Sequence, residues 1–262
     1  MNTFAVITAD FIDSKSKFGK GVDFKPRIYW KKDDDAYLVN FFTNNDKYLY
    51  DVIKGNIEMS VREYLDVRLK NLNFEIQRSK LNVLTIASIR VGDELQIVCK
   101  NLNEIPVLLR MIRYYCLPLK LRIGIGIGTI NYFGKISEFN NSPQFYDSWD
   151  MNGEAFYRAR LALDSLGKEK ISSTNAESEN IYNDLIINTI YSLINSHVRH
   201  WSLSQWISIQ AYEQYETYEH AAKELHMSGP GVFKNCSAAN WQVVKEAEKN
   251  LGDILKKMYN LY

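Results

Sequence analysis

Cysteine is scarce. Cys99, Cys116 and Cys236 are the only three in 262 residues. They stand far apart and show no Cys-x-x-Cys spacing, which argues against a disulfide scaffold and against a zinc site built on that motif. Such a distribution predicts buried thiols in a reducing compartment. An excess of charge of one sign is also missing: the formal net charge is +1. No global field would gather nucleic acid or anionic lipid, although a local patch is still allowed. No apolar run approaches the roughly 18 residues that a bilayer span requires. The stretch "MNTFAVITADFIDSKSK" has no basic n-region followed by a long apolar core, so a cytoplasmic protein without a membrane partner is expected. There is no P-loop, no persuasive Ser-His-Asp ordering, no internal repeat and no low-complexity tract. His197 and His200 stand at i, i+3 without a Cys or acid partner at metal-ligand spacing, and read as surface or interface residues.

What is present is ordinary globular material: 46% apolar, 24% charged and 13% aromatic residues, including 17 Tyr. "FAVITADFI" (4–12) is apolar almost throughout and ends in acids, as expected of a central strand covered on both faces. Segment 17–45 contains "KKDDD" between two apolar stretches, and reads either as a hairpin or as a flap. Residues 46–72 place apolar side chains at steps of three and four, the pattern of an amphipathic helix. Residues 102–118 repeat that pattern, with Pro106 in the first turn and Pro118 at the end. "LKLRIGIGIGTI" (119–130) predicts a strand, and "SPQFYDSWDMNGEAFYRARLALDSLG" a loop followed by a helix from about Gly153 to Leu166. "KISSTNAESENI" is polar and turn-rich, and the remainder reads as wholly helical. The order β-α-β-β-α-β-α, then helices, fits an α/β sandwich followed by a small α domain, with the junction between about 170 and 200.

"SIRVGDELQIV" (88–98) alternates apolar and polar residues on either side of Gly-Asp-Glu, the signature of two short strands joined by a tight hairpin. Gly-Asp is a common turn pair. Here, however, it puts Asp93 at a tip, while Asp10 closes the first strand. If the two elements are neighbours in one sheet, the two carboxylates meet at one edge. Close carboxylates repel unless a cation sits between them. Mg²⁺ suits such a site, because it takes hard oxygen ligands and shares carboxylates with substrate phosphates. The Phe11 carbonyl supplies a further candidate ligand, and Asp13 and Glu94 stand in second rank.

Gly124, Gly126 and Gly128 lie two apart in a strand and therefore on one face. This is not a dinucleotide fingerprint, which needs a turn into a helix and other spacing. It strips one sheet face of side chains for close approach, by a packed helix or a flat ligand. The helix is the favoured reading, with Ile123, Ile125 and Ile127 in the core on the other face. On the helix that follows, Arg158 and Arg160 are two apart and cannot share a face. One of them is a candidate to reach the acid edge and hold a phosphate. Lys15, with Lys17 and Lys20, lies in the loop after the first strand and is a further candidate for phosphate.

"TYEHAAKELHMSGPGVFKNCSAANWQVVKEAEKNL" (217–251) carries a second signal. Ala221, Ala222 and Leu225 make a packing face small enough for a close helix crossing. "HMSGPG" supplies a turn, and Val232 begins the next helix, which is the pattern of a helix-turn-helix. In that geometry Lys234, Asn235, Ser237 and Asn240 are the candidates for DNA contact. The charges of 199–262 look balanced, so such a module binds DNA weakly unless it dimerises. Trp201, Trp206 and Trp241 are expected in this domain's core or at a dimer contact.

The motifs "ITADFIDSK", "RVGDELQIV", "LRIGIGIGTI" and "WDMNGEAFYRARLAL", in this order, resemble the SatD family of bacterial proteins, and the resemblance covers most of the chain, including its helix-turn-helix. The first two also resemble the palm-type core of nucleotidyl cyclases and diguanylate cyclases, where one Asp closes the first strand, another occupies a Gly-Asp hairpin, and both bind metal. That match carries over to Asp10 and Asp93 alone. Class III cyclases place an Asn and, four residues on, an Arg on the helix after a Gly. Those places here hold Tyr157 and Leu161. The diguanylate cyclase signature has two glycines before its acids, and Val91 replaces the first. The resemblance implies an α+β fold: a ferredoxin-like, nucleotidyl-cyclase-like sandwich over 1–180 and an all-α helix-turn-helix domain over 195–262. The combination suggests a regulator in which a metal- or nucleotide-binding domain is coupled to a DNA-binding module. One alternative is a Mg-dependent nucleotidyl transferase or cyclase using Asp10 and Asp93. Another is a non-catalytic, homodimeric interaction module.

Overall fold

The structure is a computed structural model that describes residues 3–12, 61–90, 93–117, 119–132, 146–167 and 173–259. Asp13, Lys15, the 17–45 segment and the first half of the helix expected over 46–72 lie outside the described residues.

The element order begins β1 (Phe4–Phe11), α1 (Val61–Arg78), β2 (Ser88–Ile89), β3 (Glu94–Cys99), α2 (Ile105–Tyr115) and β4 (Leu121–Gly128). It continues with β5 (Asn131–Tyr132), β6 (Met151–Asn152), α3 (Glu154–Asp164) and β7 (Thr174–Glu177), and then runs through helices. Those helices are α4 (Ile181–Val198), α5 (Leu203–Tyr215), α6 (Tyr218–Glu224), α7 (Gly229–Ala238) and α8 (Trp241–Met258). The fold class is mixed α+β. Five strands form one sheet in the order β2-β3-β1-β4-β7, and β5-β6 make a separate ribbon. The first four strands pair antiparallel and β7 joins β4 in parallel. Two split β-α-β units are thereby interleaved, with β1 at the centre as its apolar run requires. Phe4, Ala5, Val6, Ile7, Ala9 and Phe11 are all buried.

Register assigns the two faces. Thr8 lies opposite Gln96 and Gly124, Val6 opposite Val98 and Gly126, and Asp10 opposite Glu94 and Arg122. The other face carries Ala5, Ile7 and Ala9 with Ile97, Ile123, Ile125 and Ile127, all essentially inaccessible. The Arg68 guanidinium on α1 donates to the carbonyls of Tyr114 and Tyr115 at the end of α2, which ties the two helices together.

The glycine face receives a helix, the favoured reading of the stripe. A Cβ on Gly126 would lie 1.9 Å from the Ala155 carbonyl oxygen and 2.2 Å from the Ala159 nitrogen. One on Gly124 would lie 2.2 Å from the Ala159 oxygen. Only glycine lets the α3 backbone sit this low on β4. Gly153, at φ 135°, caps the start of α3 in a conformation that side chains avoid.

Residues 174–177, expected as part of a polar turn, form strand β7 instead. The segment is legible only in three dimensions. Thr174 and Ala176 are buried beside β4, and the Asn188 side chain closes the outer edge, accepting from the Ala176 N–H at 2.7 Å and donating to its carbonyl at 3.0 Å. That side-chain amide takes the place of a sixth strand and protects the edge.

The chain divides into two compact units. One comprises Met1–Lys15, Leu65–Ser196 and Ala247–Tyr262, and the other includes His197–Glu246. In the second unit the three tryptophans form the core. Trp201 meets Trp206 and Trp241 edge-on at 4.7 and 5.9 Å, and its indole N–H donates to the Ala239 carbonyl. Helix α6 ends in a Schellman arrangement around His226, at φ 53°, with Met227 N–H donating to the Ala222 carbonyl and His226 N–H to that of Lys223. Ser228 then caps α7 by accepting from the Gly231 N–H. The Gly-Pro-Gly run is thus the first turn of α7, rather than part of the turn before it. Proline is favoured there because its missing N–H would have no partner. Among the described residues, no helix is long and apolar enough to cross a membrane.

Candidate functional site

The sheet gathers charge at the end where β1 finishes and β3 and β4 begin. Asp10 is in register with Glu94 on one side and with Arg122 on the other. Asp93 directly precedes Glu94, so the hairpin brings it to the same lip. Helix α3 runs down the glycine stripe toward this end and delivers Arg160, Asp164 and the Leu166 carbonyl. The first strand continues one residue past Asp10: Phe11 is buried and in register with Leu121.

The carboxylates are engaged by guanidinium groups. Arg122 grips Asp10 with two N–H groups, Nε to Oδ1 at 3.0 Å and Nη2 to Oδ2, while its Nη1 donates to the Leu166 carbonyl at 2.9 Å. This bidentate fork is the strongest geometry available to an exposed or half-buried ion pair. Hydrogen bonding to Asp10 raises the Arg122 pKa, and the negative charges of Asp10, Asp164 and Asp93 raise it further. Arg160 pairs with Glu94, whose other oxygen accepts from the Thr8 hydroxyl at 2.7 Å. Glu94, a second-rank candidate in the sequence, is therefore a fixed member of the lip.

Arg158 goes elsewhere. Its Nη1 donates to the Ile127 carbonyl at 2.7 Å, near the opposite end of β4, and it pairs loosely with Glu154. Arg158 and Arg160 are two positions apart on the helix, and the roughly 200° of rotation between them sends only Arg160 to the acids. Tyr157 and Leu161 lie exposed on the outer side of α3. Sequence patterning does not single out Arg122. Its signal is a cation two residues before Gly124, and hence on the same face as the glycine stripe.

Does this donor set fit a divalent cation? Both Asp10 oxygens face Arg122, and both Glu94 oxygens have partners. Among the described residues, no three His, Cys, Asp or Glu side chains group closely enough to hold an ion. The residues as arranged do not form a ready Mg²⁺ cage.

On the helical unit, Lys234 and Ser237 are exposed on α7, and Asn240, at φ 53°, sits in the turn after it. Asn235 faces inward, and its amide donates to the Ser208 hydroxyl at 2.9 Å. The outer face of α7 also presents Pro230 and Phe233, the latter packed edge-on against Tyr218.

No protein-family model and no curated protein matches the chain. A solved guanylyl cyclase, Cya2, is a distant structural neighbour. It shares 12% identity over 62% of this chain and 70% of its own, with a TM-score of 0.32.

Proposed function

We propose that the protein is a nucleotide-responsive regulator, in which the lip of the α/β unit binds a nucleotide and helices α5–α7 form a helix-turn-helix module that contacts DNA. In this reading the sheet is a cyclase-like palm used for sensing. The observation that carries it is the convergence on one lip of Asp10, Asp93 and Glu94 with Arg122 and Arg160, drawn from β1, the β2–β3 hairpin, β4 and α3. Arg160 is half exposed and offers a guanidinium to a phosphate. Asp93 and Asp164 add further negative charge to the lip, so a polyphosphate would arrive with its own divalent counter-ion.

The DNA half is supported by the α6–α7 geometry, with a tight capped turn and with Lys234 and Ser237 exposed on a helix whose own sequence has no acid. Residues 197–246 carry four cations, Arg199, Lys223, Lys234 and Lys245, against five glutamates at 213, 216, 219, 224 and 246, or 4 − 5 = −1. Phosphate neutralisation drives DNA affinity, so this module would act as a dimer, with two α7 helices in successive major grooves.

Titration calorimetry with each nucleoside triphosphate, with and without Mg²⁺, followed by mobility shifts of genomic fragments at low salt, tests both halves. Binding of one nucleotide that changes the shift is the expected result. A chain that binds no nucleotide and shifts no fragment would end the reading. Turnover of the nucleotide in the same tubes, abolished by Asp93→Ala, would favour the nucleotidyl transferase alternative.

A further inference from the structure

We propose that the outer face of α4 is the surface through which two copies of this chain pair. Helix α4 is apolar on both of its sides, and a helix of that kind belongs inside a core. Its inner side is in one: Ile187, Tyr191, Ile194 and Val198 are buried. Its outer side is not. Ile181, Tyr182, Leu185, Ile186 and Leu193 are 43–74% exposed, and Thr189 lies exposed among them. At roughly 100° of rotation per residue, these six fall within an arc of about 140° and make one continuous face.

The chemistry of the face selects its partner. The one acid of α4, Asp184, is buried, and the helix has no Lys or Arg, so no charged side chain stands among the exposed apolar ones. A lipid surface calls for basic residues beside the apolar face, and DNA calls for them too. Two copies of an uncharged face meet without like-charge repulsion. Tyr182, Ile186, Thr189 and Leu193 follow one another at steps of four, three and four, the spacing that seats one helix against another. The five apolar side chains expose on the order of 600 Å² in each copy, the most that a monomer commonly leaves in water. A twofold pair covers the same patch on both copies, ~1,200 Å² in all, which reaches the lower bound of a stable specific interface. The pairing goes beyond the nucleotide- and DNA-binding reading and does not rest on it.

The test is sedimentation velocity of the full chain, without nucleotide or DNA. The wild type should sediment as two chains at ~100 μM. Leu185→Glu with Leu193→Glu puts two carboxylates into the face of each copy. It should weaken the pair at least ~100-fold and leave the circular dichroism spectrum unchanged. Leu185→Ala with Leu193→Ala adds no charge and should still weaken the pair at least ~10-fold, which keeps the test decisive if the glutamates disturb folding. Phe74→Glu places the same charge at an exposed apolar residue of α1 and should leave the pair intact. A wild type that stays single at ~100 μM would overturn the inference. So would a pair that survives both double substitutions, or one that Phe74→Glu disrupts equally. A paired wild type that binds no nucleotide and shifts no DNA refutes the functional reading alone.

Discussion

Gly126→Ala is the sharpest test of how the lip is built. The backbone of Gly126 is extended, so alanine is conformationally allowed, and any cost must come from the space its Cβ would enter. That Cβ would lie 1.9 Å from the Ala155 oxygen and 2.2 Å from the Ala159 nitrogen, both backbone atoms that cannot rotate away. Ordinary contact begins at 3.4 Å, so α3 must rise by about 1.5 Å over a strand it now touches, the difference between those two distances. Overpacking of this kind costs ~1–3 kcal/mol, and with no flexible neighbour the upper end is expected. Three companions calibrate the result. Gly124→Ala meets backbone at 2.2 Å and should cost nearly as much. Gly128→Ala meets the Arg158 guanidinium at 2.6 Å, the far end of a flexible side chain, and should cost less. Gly167→Ala has nothing within 4 Å and should be neutral or stabilising by up to ~1 kcal/mol through the unfolded chain. Urea unfolding followed by circular dichroism gives all four values. A Gly126→Ala protein within ~0.5 kcal/mol of wild type, or one less damaged than Gly128→Ala, would refute the close docking of α3.

Four further outcomes follow from the buried chemistry. Burial pushes the Cys116 and Cys236 thiols up to about 12, and burial with the nearby Glu104 carboxylate pushes Cys99 up as well; a disulfide dye at pH 8 should label none of them in the native protein and all three in urea. Unfolded thiols ionise near ~8.5, so above that pH the unfolded state holds fewer protons than the folded one and stability should fall as pH rises, a trend urea midpoints at pH 8 and pH 10 would reveal. Asn235→Ala should destabilise the helical unit by ~1–3 kcal/mol by leaving Ser208 without its donor, whereas exposed Lys234→Ala should stay within ~0.5 kcal/mol and weaken only DNA shifts. Arg110 and Glu248 pair at 3.0 Å with exposures of 6% and 7%, so Arg110→Met alone should cost ~3–5 kcal/mol while Arg110→Met with Glu248→Leu should recover most of it, as thermal melts would show.

The parts of the fold that were legible in the sequence are those where one residue pattern answers to one environment. The apolar run of β1 demanded cover on both faces, and it lies at the centre of the sheet. The alternating glycines of β4 demanded a close neighbour, and α3 supplies it. The placement of Asp10 and Asp93 at one lip followed from strand ends and a hairpin tip. What escaped was set by partners distant in the chain. β7 has too few apolar residues to announce itself and exists because β4 offers an edge and Asn188 seals the other side. Asn235 looked like a surface amide on a recognition helix, but α7 rotates it onto Ser208. Arg122 has no signal in its own strand, and only register sets it against Asp10.

These observations form one causal chain that runs through α3. The missing side chains at Gly124, Gly126 and Gly128 fix how deeply the helix sits, and that depth fixes where its last turn ends. The chain leaving that turn supplies the Leu166 carbonyl that orients Arg122, and further back the helix carries Arg160 to Glu94. A shift of α3 by the ~1.5 Å considered above would break a 2.9 Å hydrogen bond at Leu166 and loosen both guanidinium clamps together. The ion pairing of the lip is thus coupled to a packing contact made by residues that carry no charge. Gly126→Ala should accordingly do more than destabilise. In whatever fraction remains folded, the Arg122 clamp should already be loose, so Arg122→Met should cost less stability in the Gly126→Ala background than in the wild type. Additive costs in that double-mutant cycle would show that Arg122 holds Asp10 without help from the helix, and would uncouple the stripe from the site.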